Sequence, residues 1–184
     1  MAASAHQALR ADFWFGTRRA ITLLVSLVIE KPPGILGAPL GRATSHGSVL
    51  VGLDAQPVRI EVCCTRGPAF FQMVGLAEAA VREARVRVAS ALASLGVLLA
   101  EYAVTVNLAP ADLRKSGAGL DVAIALATLA AIGALPSASL ESTLVLGELS
   151  LEGSIQAVRG VLPQLAGAAA RNVGRAIVPR GNAA

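Results

Sequence analysis

The chain has few aromatic residues and little cysteine, and these shortages narrow its possible functions. Only 3% of its 184 residues are aromatic, so its core must be built from Val, Leu, Ile and Ala. A platform of rings that stacks the bases of single-stranded nucleic acid is therefore nearly excluded. Cys63 and Cys64 are adjacent, a spacing that suits neither a disulfide framework nor a metal site. Reduced thiols are typical of cytosolic proteins, and we expect a cytoplasmic location.

Histidine and phosphate-binding motifs are equally scarce. The only histidines, His6 and His46, lie outside the expected core, so it can assemble no histidine-based acid-base pair or metal site. A GxxxxGK[ST] loop, which nucleotide hydrolysis needs for its phosphates and magnesium, is absent. Lys115, Ser116 and Gly117 supply the right residue types in the wrong order. We therefore expect neither ATP hydrolysis nor a cofactor in this chain.

The chain is rich in apolar residues and poor in charge. Its hydrophobic content is 54% and its charged content 15%, enough for one buried core. The formal net charge is +4, but residues 1–47 hold five basic against two acidic residues. The rest is almost neutral, so the basic pI does not by itself indicate a DNA-binding face. The apolar run over 20–29 is too short to span a bilayer and lacks a cleavage site, which predicts a non-targeting extension and no membrane contact.

Residues that break helices and strands divide the sequence. Six Pro and Gly residues fall within 32–41, which is typical of a linker. We predict a poorly ordered extension and linker over 1–43 and one domain over 44–184. Its patterns predict strands and helices in an irregular order, without βαβ repetition, which favours an α+β domain of two layers. The predicted elements are a β-hairpin from Ser48, helices over 77–95, 120–132 and 161–172, strands over 102–108 and 176–179, and a hairpin over 144–155.

One junction is the best candidate for chemistry. An alternating strand pattern that ends at Leu108 leads into a polar, glycine-rich loop, and this loop opens onto the apolar helix over 120–132. Free backbone NH groups at a helix start attract anions, yet such a loop is also a common tight turn. Both interpretations stay open, as an anion-binding loop or a structural one. The residues concerned are Arg114, Lys115, Ser116, Gly117, Gly119 and Asp121.

Side-chain pairing can be predicted around this junction and on the helix before it. Asp121 lies in the first turn of its helix, where a carboxylate favours the helix dipole and can cap NH groups. We expect hydrogen bonds to it from its neighbours in the loop and the preceding strand. On the helix over 77–95, i,i+4 spacing predicts ion pairs on an outer, solvated face. The loop neighbours are Asn107, Asp112 and Arg114, the helical pairs are Glu78 with Arg82 and Glu83 with Arg87, and Glu148 is predicted to be a protective charge at a strand edge.

Three segments carry a family resemblance that covers about residues 48–184. NLAPADLRK, SGAGLDVAIAL and GELSLEGSIQAVRGVLP resemble the N-terminal domain of Mg-chelatase-like AAA+ ATPases of the ComM/YifB type. This resemblance implies a fold like Lon proteases and ribosomal protein S5 domain 2. For the intact protein it implies an AAA+ module with ATP and Mg, a hexameric ring, and DNA processing in natural transformation, recombination and branch migration. We expect that module to be absent from this chain.

The resemblance to Lon proteases can be compared position by position. The Lon-type serine falls at Gly119 or Leu120 and the lysine at Leu162, so both catalytic side chains are missing. We therefore expect a non-catalytic accessory domain that assembles with the AAA+ module of the same protein and does not cleave peptides. Two alternatives are a phospho-ligand binder or enzyme that uses the loop over 115–121, and a nucleic-acid contact. The second alternative would use Arg82, Arg85 and Arg87.

Overall fold

The structure is a computed structural model that describes residues 41–182, so most of the predicted extension lies outside the described residues. The strands are β1 (Arg42–Val51), β2 (Asp54–Arg66), β3 (Phe70–Val74), β4 (Tyr102–Ala109), β5 (Thr143–Val145), β6 (Glu148–Leu149), β7 (Ile155–Gln156) and β8 (Arg175–Ile177). The helices are α1 (Ala79–Ser94), α2 (Asp121–Ala131) and α3 (Val161–Ala170). Their mixed order confirms the predicted α+β class.

Six strands form the main sheet in the order β3-β4-β2-β1-β5-β8. The pairs β1–β2 and β2–β4 are antiparallel, whereas β3–β4, β1–β5 and β5–β8 are parallel. Alternation along β2 buries Val58, Ile60 and Val62 on one face while Arg59 is exposed on the other, as predicted. Gly52 adopts a φ of +64° at the β1–β2 turn, a conformation that glycine enters at little cost.

Two helices cover the apolar face of the sheet. Helix α2 is buried on almost every side and packs against β1 and β2, which confirms the prediction of a central helix. Helix α1 packs beside it through an apolar stripe and ends before Gly96, as predicted. Within residues 41–182, no helix combines the length and the apolar character that crossing a membrane requires. The stripe consists of Val81, Ala84, Val88, Ala91 and Leu92.

The hairpin predicted over 144–155 is wrong in its pairing. Strand β5 joins the main sheet beside β1 and β8, and only β6 and β7 pair as a short hairpin. The chain changes direction at Gly147, whose φ is +152°. A Cβ there would lie 2.7 Å from Cγ2 of Val122, so the turn packs tightly against α2. Apolar residues stand on both sides of this turn, at 144–146 and again at Leu149 and Leu151, which is why the segment suggested one hairpin.

Helix α3 lies on the other face of the sheet. On β1, the Ser45 hydroxyl donates to the Ala123 carbonyl of α2 at 2.8 Å. Three residues later the Ser48 hydroxyl donates to Oε1 of Gln164 on α3 at 2.6 Å. Because residues an odd number apart on a strand point to opposite faces, α2 and α3 sandwich this part of β1. The predicted helix therefore exists, and it covers the sheet at the end nearest the β1–β2 turn.

Candidate functional site

A buried ion pair anchors the start of α2. Asp121 is the first residue of this helix and is fully buried. Arg87 of α1 reaches it with two hydrogen bonds, from Nε to Oδ2 at 2.6 Å and from Nη2 to Oδ1 at 3.1 Å. The backbone NH of Leu149 in β6 donates to Oδ2 at 3.1 Å. One carboxylate thus connects two helices and the β6–β7 hairpin in the bidentate geometry that Arg favours.

Burial and hydrogen bonding act in opposite directions on this pair. Desolvation raises the pKa of Asp121, while the hydrogen bonds from Arg87 and from the Leu149 NH oppose that shift. The hydrogen bond with Asp121 raises the pKa of Arg87. All three contacts are donated to Asp121, and a carboxylate accepts but does not donate. Three of the roughly four acceptor positions of this carboxylate are thus engaged, and because the side chain is fully buried a substrate cannot reach it.

The pairing predicted around Asp121 is wrong in several places. Asn107 donates to Glu61 at 2.7 Å, and Arg114 pairs with Glu78 at 3.4 Å. Within residues 41–182, neither side chain has a recorded contact with Asp121. Loop neighbours that are close in sequence point elsewhere, because the carboxylate faces the interior between α1 and α2. The partner of Asp121 lies 34 residues away in sequence.

The outer-face assignment of Arg87 is also wrong. Its side chain is only 18% exposed, and its ion pair with Glu83 spans 3.9 Å, much longer than its contact with Asp121. A signal for this was present in the sequence. Position 87 is three residues after Ala84 and four before Ala91, both buried, so it lies along the buried side of α1. Arg82, by contrast, donates to the Ala77 carbonyl at 2.6 Å instead of pairing with Glu78.

The backbone at the start of α2 is also engaged. The NH of Val122 donates to the Gly147 carbonyl at 3.2 Å, and the NH of Gly147 donates to the Gly119 carbonyl at 2.9 Å. The NH of Asp121 donates to the Ala118 carbonyl at 3.2 Å. The NH groups of Asp121 and Val122, which are usually free at a helix start, therefore have partners in the chain. The turn at Gly147 occupies the place where an anion would approach these NH groups.

The structure separates the residues of the predicted loop. Lys115 is fully buried, and its Nζ donates to the Pro110 carbonyl. Its backbone NH and carbonyl bond to Leu76 and Glu78, on the segment before α1. Desolvation lowers the pKa of Lys115, and the charge of Asp112 opposes this shift. Arg114, Ser116 and Gly117 are exposed, Gly119 is half-buried, and Asp121 is fully buried.

The two positions that correspond to the Lon-type pair carry no reactive group. Gly119 lies near Val158, since a Cβ on this glycine would be 4.0 Å from Cγ1 of Val158. Leu162, at the lysine position, is 77% exposed on α3. Within residues 41–182, no group of three or more His, Cys, Asp or Glu side chains is arranged to hold a metal ion. The two Lon-type positions thus hold a glycine and a leucine, and the start of α2 holds one buried ion pair.

This fold and this junction define a small α+β domain whose central helix is anchored by a buried Arg–Asp pair. The family model described as subunit ChlI of Mg-chelatase matches residues 60–182. The chain belongs to this family, and its relatives identify it as a member of the ComM/YifB type.

Three curated relatives illustrate the match. The uncharacterized protein YifB of Salmonella typhimurium is 41% identical over 144 residues, which are 77% of this chain and 28% of the relative. The uncharacterized protein Rv2897c of Mycobacterium tuberculosis is 41% identical over 143 residues, 78% of this chain and 28% of the relative. Competence protein ComM of Haemophilus influenzae is 39% identical over 123 residues, 67% of this chain and 24% of the relative. The chain therefore spans about a quarter of the length of these relatives.

Proposed function

We propose that this chain is the N-terminal accessory and assembly domain of a ComM-type AAA+ ATPase and catalyses no reaction itself. The observation that carries the proposal is the closed junction at the start of α2. Arg87 and the Leu149 NH engage the Asp121 carboxylate, and the Gly147 carbonyl accepts from the NH of Val122. A site that binds substrate needs unoccupied donors or an accessible reactive group at this place.

The missing reactive pair supports the same proposal. Nucleophilic catalysis needs a side chain that can attack and a base that can take its proton. Glycine or leucine stands at the Lon-type serine position, and an exposed leucine stands at the lysine position. Lys115 cannot substitute without a rearrangement, because its buried Nζ already donates to Pro110. In this proposal the domain serves as a scaffold and not as a catalyst.

The activity of the intact protein belongs to the proposal as well. The Haemophilus influenzae relative is named competence protein ComM, which links it to competence, and this chain covers about a quarter of that protein. We assign ATP and Mg binding to the AAA+ module, and to the whole protein a hexameric ring that processes DNA in recombination and branch migration. The domain described here would contribute contacts between modules and between subunits in the cytoplasm.

The alternative contact with nucleic acid through α1 has less support. Its three arginines would have to face solvent together, yet Arg87 is bound to Asp121 inside the domain. Arg82 and Arg85 remain exposed, with acidic Glu83 between them and with Arg82 bonded to the Ala77 carbonyl. Two arginines next to a carboxylate provide a weak field for a polyanion.

A chimera tests the proposal. Residues 41–182 of this chain would replace the matching segment of ComM in Haemophilus influenzae, and natural transformation would be counted. The account predicts transformation well above that of a strain whose ComM lacks the segment, although the chimera carries no reactive pair at the positions of Gly119 and Leu162. The chimera with Asp121→Ala is the matched control, and it should fail because the anchor of α2 is lost.

The contradicting result is equally specific. A chimera that accumulates at the normal level and assembles, yet transforms no better than the deletion strain, would show that the domain supplies more than assembly. Transformation that persists without any copy of the segment would show that no accessory role exists.

A further inference from the structure

Charge is strongly segregated in the last third of the chain. Residues 141–158 hold three acidic residues and no basic one, whereas residues 159–182 hold four arginines and no acidic residue. The arginines are Arg159, Arg171, Arg175 and Arg180. The two segments thus carry charge of opposite sign, although the net charge of the whole chain is only +4. The segments meet where β5 pairs with β8, but the β6–β7 turn of the first and the helix α3 of the second lie on opposite faces of the sheet.

The basic segment contains a helix that exposes an apolar face. Helix α3 carries no charged residue, and Leu162 is 77% exposed on it. Ala166 and Ala169 are exposed four and seven residues later, so they continue the same face. Arg159 lies just before the helix and Arg171 just after it, and within residues 41–182 neither has a carboxylate partner. We call this surface, from Arg159 to Arg171, the α3 face.

The acidic segment contains a rigid turn with an apolar tip. Leu151 is 59% exposed and Glu152 is exposed, both in the turn between β6 and β7. The Ser94 hydroxyl of α1 donates to the Glu152 carbonyl at 3.1 Å, and the hydroxyls of Ser150 and Ser154 are 2.7 Å apart. The turn is thus fixed against α1 before any partner binds, which lowers the entropic cost of binding. We call Leu151 and Glu152 the hairpin tip.

We propose that the α3 face of one copy of this chain binds the hairpin tip of a second copy. Leu162 would pack against Leu151, with Arg159 next to Glu152 and with Arg171 at the far end of the same face. The inference deepens the proposed assembly role by naming the surfaces that join neighbouring subunits. The hairpin packs on α1, on the sheet face that α2 covers, whereas α3 covers the opposite face. Two different patches on one molecule produce a head-to-tail contact, the type that closes into rings.

The chemistry favours a protein partner over nucleic acid. The two arginines are separated by a ten-residue helix, or about 15 Å, and the surface between them is apolar and uncharged. A phosphate backbone gains little from an exposed leucine, whereas an apolar patch with a charged rim is the usual anatomy of a protein interface. Glu152 supplies the opposite charge next to an exposed leucine of its own.

Sedimentation velocity of the whole chain tests the contact with three variants. Wild-type chain should associate with rising concentration, and less so at high salt because rim charges are screened. The variant Arg159→Glu/Arg171→Glu and the variant Glu152→Arg should each associate at least about tenfold more weakly, since like charges then meet. An equimolar mixture of the two variants should associate again, because each now offers the opposite charge to the other.

A matched leucine pair tests the apolar part. Leu162→Asp should abolish association, whereas Leu98→Asp should not, although Leu98 is 67% exposed and lies elsewhere, between α1 and β4. Circular dichroism of every variant would confirm that it folds. These results would hold or fail independently of the chimera, because the chimera tests the role of the domain and not the surface it uses.

Three results would overturn the inference. The first is a wild-type chain that stays monomeric up to about 0.5 mM, well above the dissociation constant of a specific contact. The second is a mixture of the two charge variants that fails to associate while the wild type does. The third is a monomeric wild type that binds duplex DNA in a salt-sensitive manner lost on Arg159→Glu/Arg171→Glu, which would assign the arginines to phosphate contacts.

Discussion

The start of α2 and the surroundings of α3 differ in where their charged side chains lie. At the start of α2 the ions are buried and paired, with Arg87, Asp121 and the Leu149 NH in one cluster. Around α3 the arginines are exposed and lack carboxylate partners within residues 41–182. A buried pair fixes internal geometry at a desolvation cost, whereas exposed charges cost the fold little and remain available to partners. The comparison separates a region that holds the fold from one that can contact other proteins.

The strongest way to break this comparison is to remove one member of the buried pair. Asp121→Ala should lower the free energy of unfolding by about 3–5 kcal/mol, because Arg87 is left buried and uncompensated. Urea denaturation followed by circular dichroism measures this loss. The double variant Arg87→Met/Asp121→Leu removes both charges and should recover most of it. Glu83→Ala, which affects only the long ion pair between Arg87 and the exposed Glu83, should cost less than about 1 kcal/mol.

A small effect of Asp121→Ala would contradict the account. If the single variant unfolded within about 1 kcal/mol of the wild type, the pair would not anchor α2, and the closed junction would need another explanation.

The buried Lys115 should make the free energy of unfolding depend on pH, which tests the same comparison. Its folded-state pKa is lowered by burial, so at high pH the unfolded chain binds more protons at this residue than the folded one. Wild-type stability should therefore gain from deprotonation of Lys115 as the pH rises towards the ordinary lysine pKa of 10.5. Lys115→Met lacks this gain. We expect it to be at least as stable as the wild type at about pH 7, with the difference shrinking by about pH 10.

Comparing the wild type with Lys115→Met at each pH cancels the contributions of the other titrating groups to stability. A variant Lys115→Met that is destabilised by more than about 2 kcal/mol at every pH would show that the bond to the Pro110 carbonyl outweighs the cost of burying the ammonium.

The exposed arginines should matter little for stability. Arg159→Ala/Arg171→Ala should change the free energy of unfolding by less than about 0.5 kcal/mol, as expected for exposed residues without partners. The same urea titration measures it, with Asp121→Ala as the positive control. A loss of more than about 1 kcal/mol would show that these arginines belong to the fold, and the contrast between the two regions would disappear.

The smallest expected effect concerns the neighbouring cysteines. Burial, with the charge of Cys63 as a lesser cause, raises the pKa of the Cys64 thiol to about 11, and Cys63 lies on the opposite, partly exposed face. Iodoacetamide at about pH 8 should modify Cys63 and spare Cys64 in the folded chain, because the thiolate is the reactive form. Both cysteines lie in the tryptic peptide 60–66, so fragmentation of this peptide in tandem mass spectrometry distinguishes the sites. Equal labelling of both would contradict the burial of Cys64.

The raised pKa of the Cys64 thiol also makes the free energy of unfolding depend on pH. Between the ordinary thiol pKa of 9.0 and about 11 the folded chain keeps the Cys64 proton that the unfolded chain loses. Stability should therefore decrease as the pH rises through this window, and Cys64→Ala should remove that part of the decrease.

Local patterns in the sequence predicted most of the elements. Period-two alternation identified β2 and β4, and the apolar run over 120–132 identified α2, because these signals depend on neighbours in sequence. The partner of Asp121 could not be predicted from the loop, since Arg87 lies 34 residues away and reaches it only after α1 packs on α2. Its position on the buried stripe of α1 was the available clue.

Two other features needed the tertiary structure. The break between β5 and β6 depends on Gly147 packing against Val122, a contact that the pattern of apolar residues does not encode. The sequence contains the segregation of charge near α3, but the net charge summed over residues 48–184 does not show it. Only the placement of α3 on the opposite sheet face turns that segregation into a surface.

Thermal denaturation with sulfate, inorganic phosphate and nucleotides tests the central claim, that the junction before α2 is closed and structural. The account predicts that the wild type and Lys115→Met respond alike to every anion, with no saturable rise in Tm that depends on Lys115. A saturable rise in the wild type that Lys115→Met abolishes would show that the loop opens to bind an anion, and it would contradict the account.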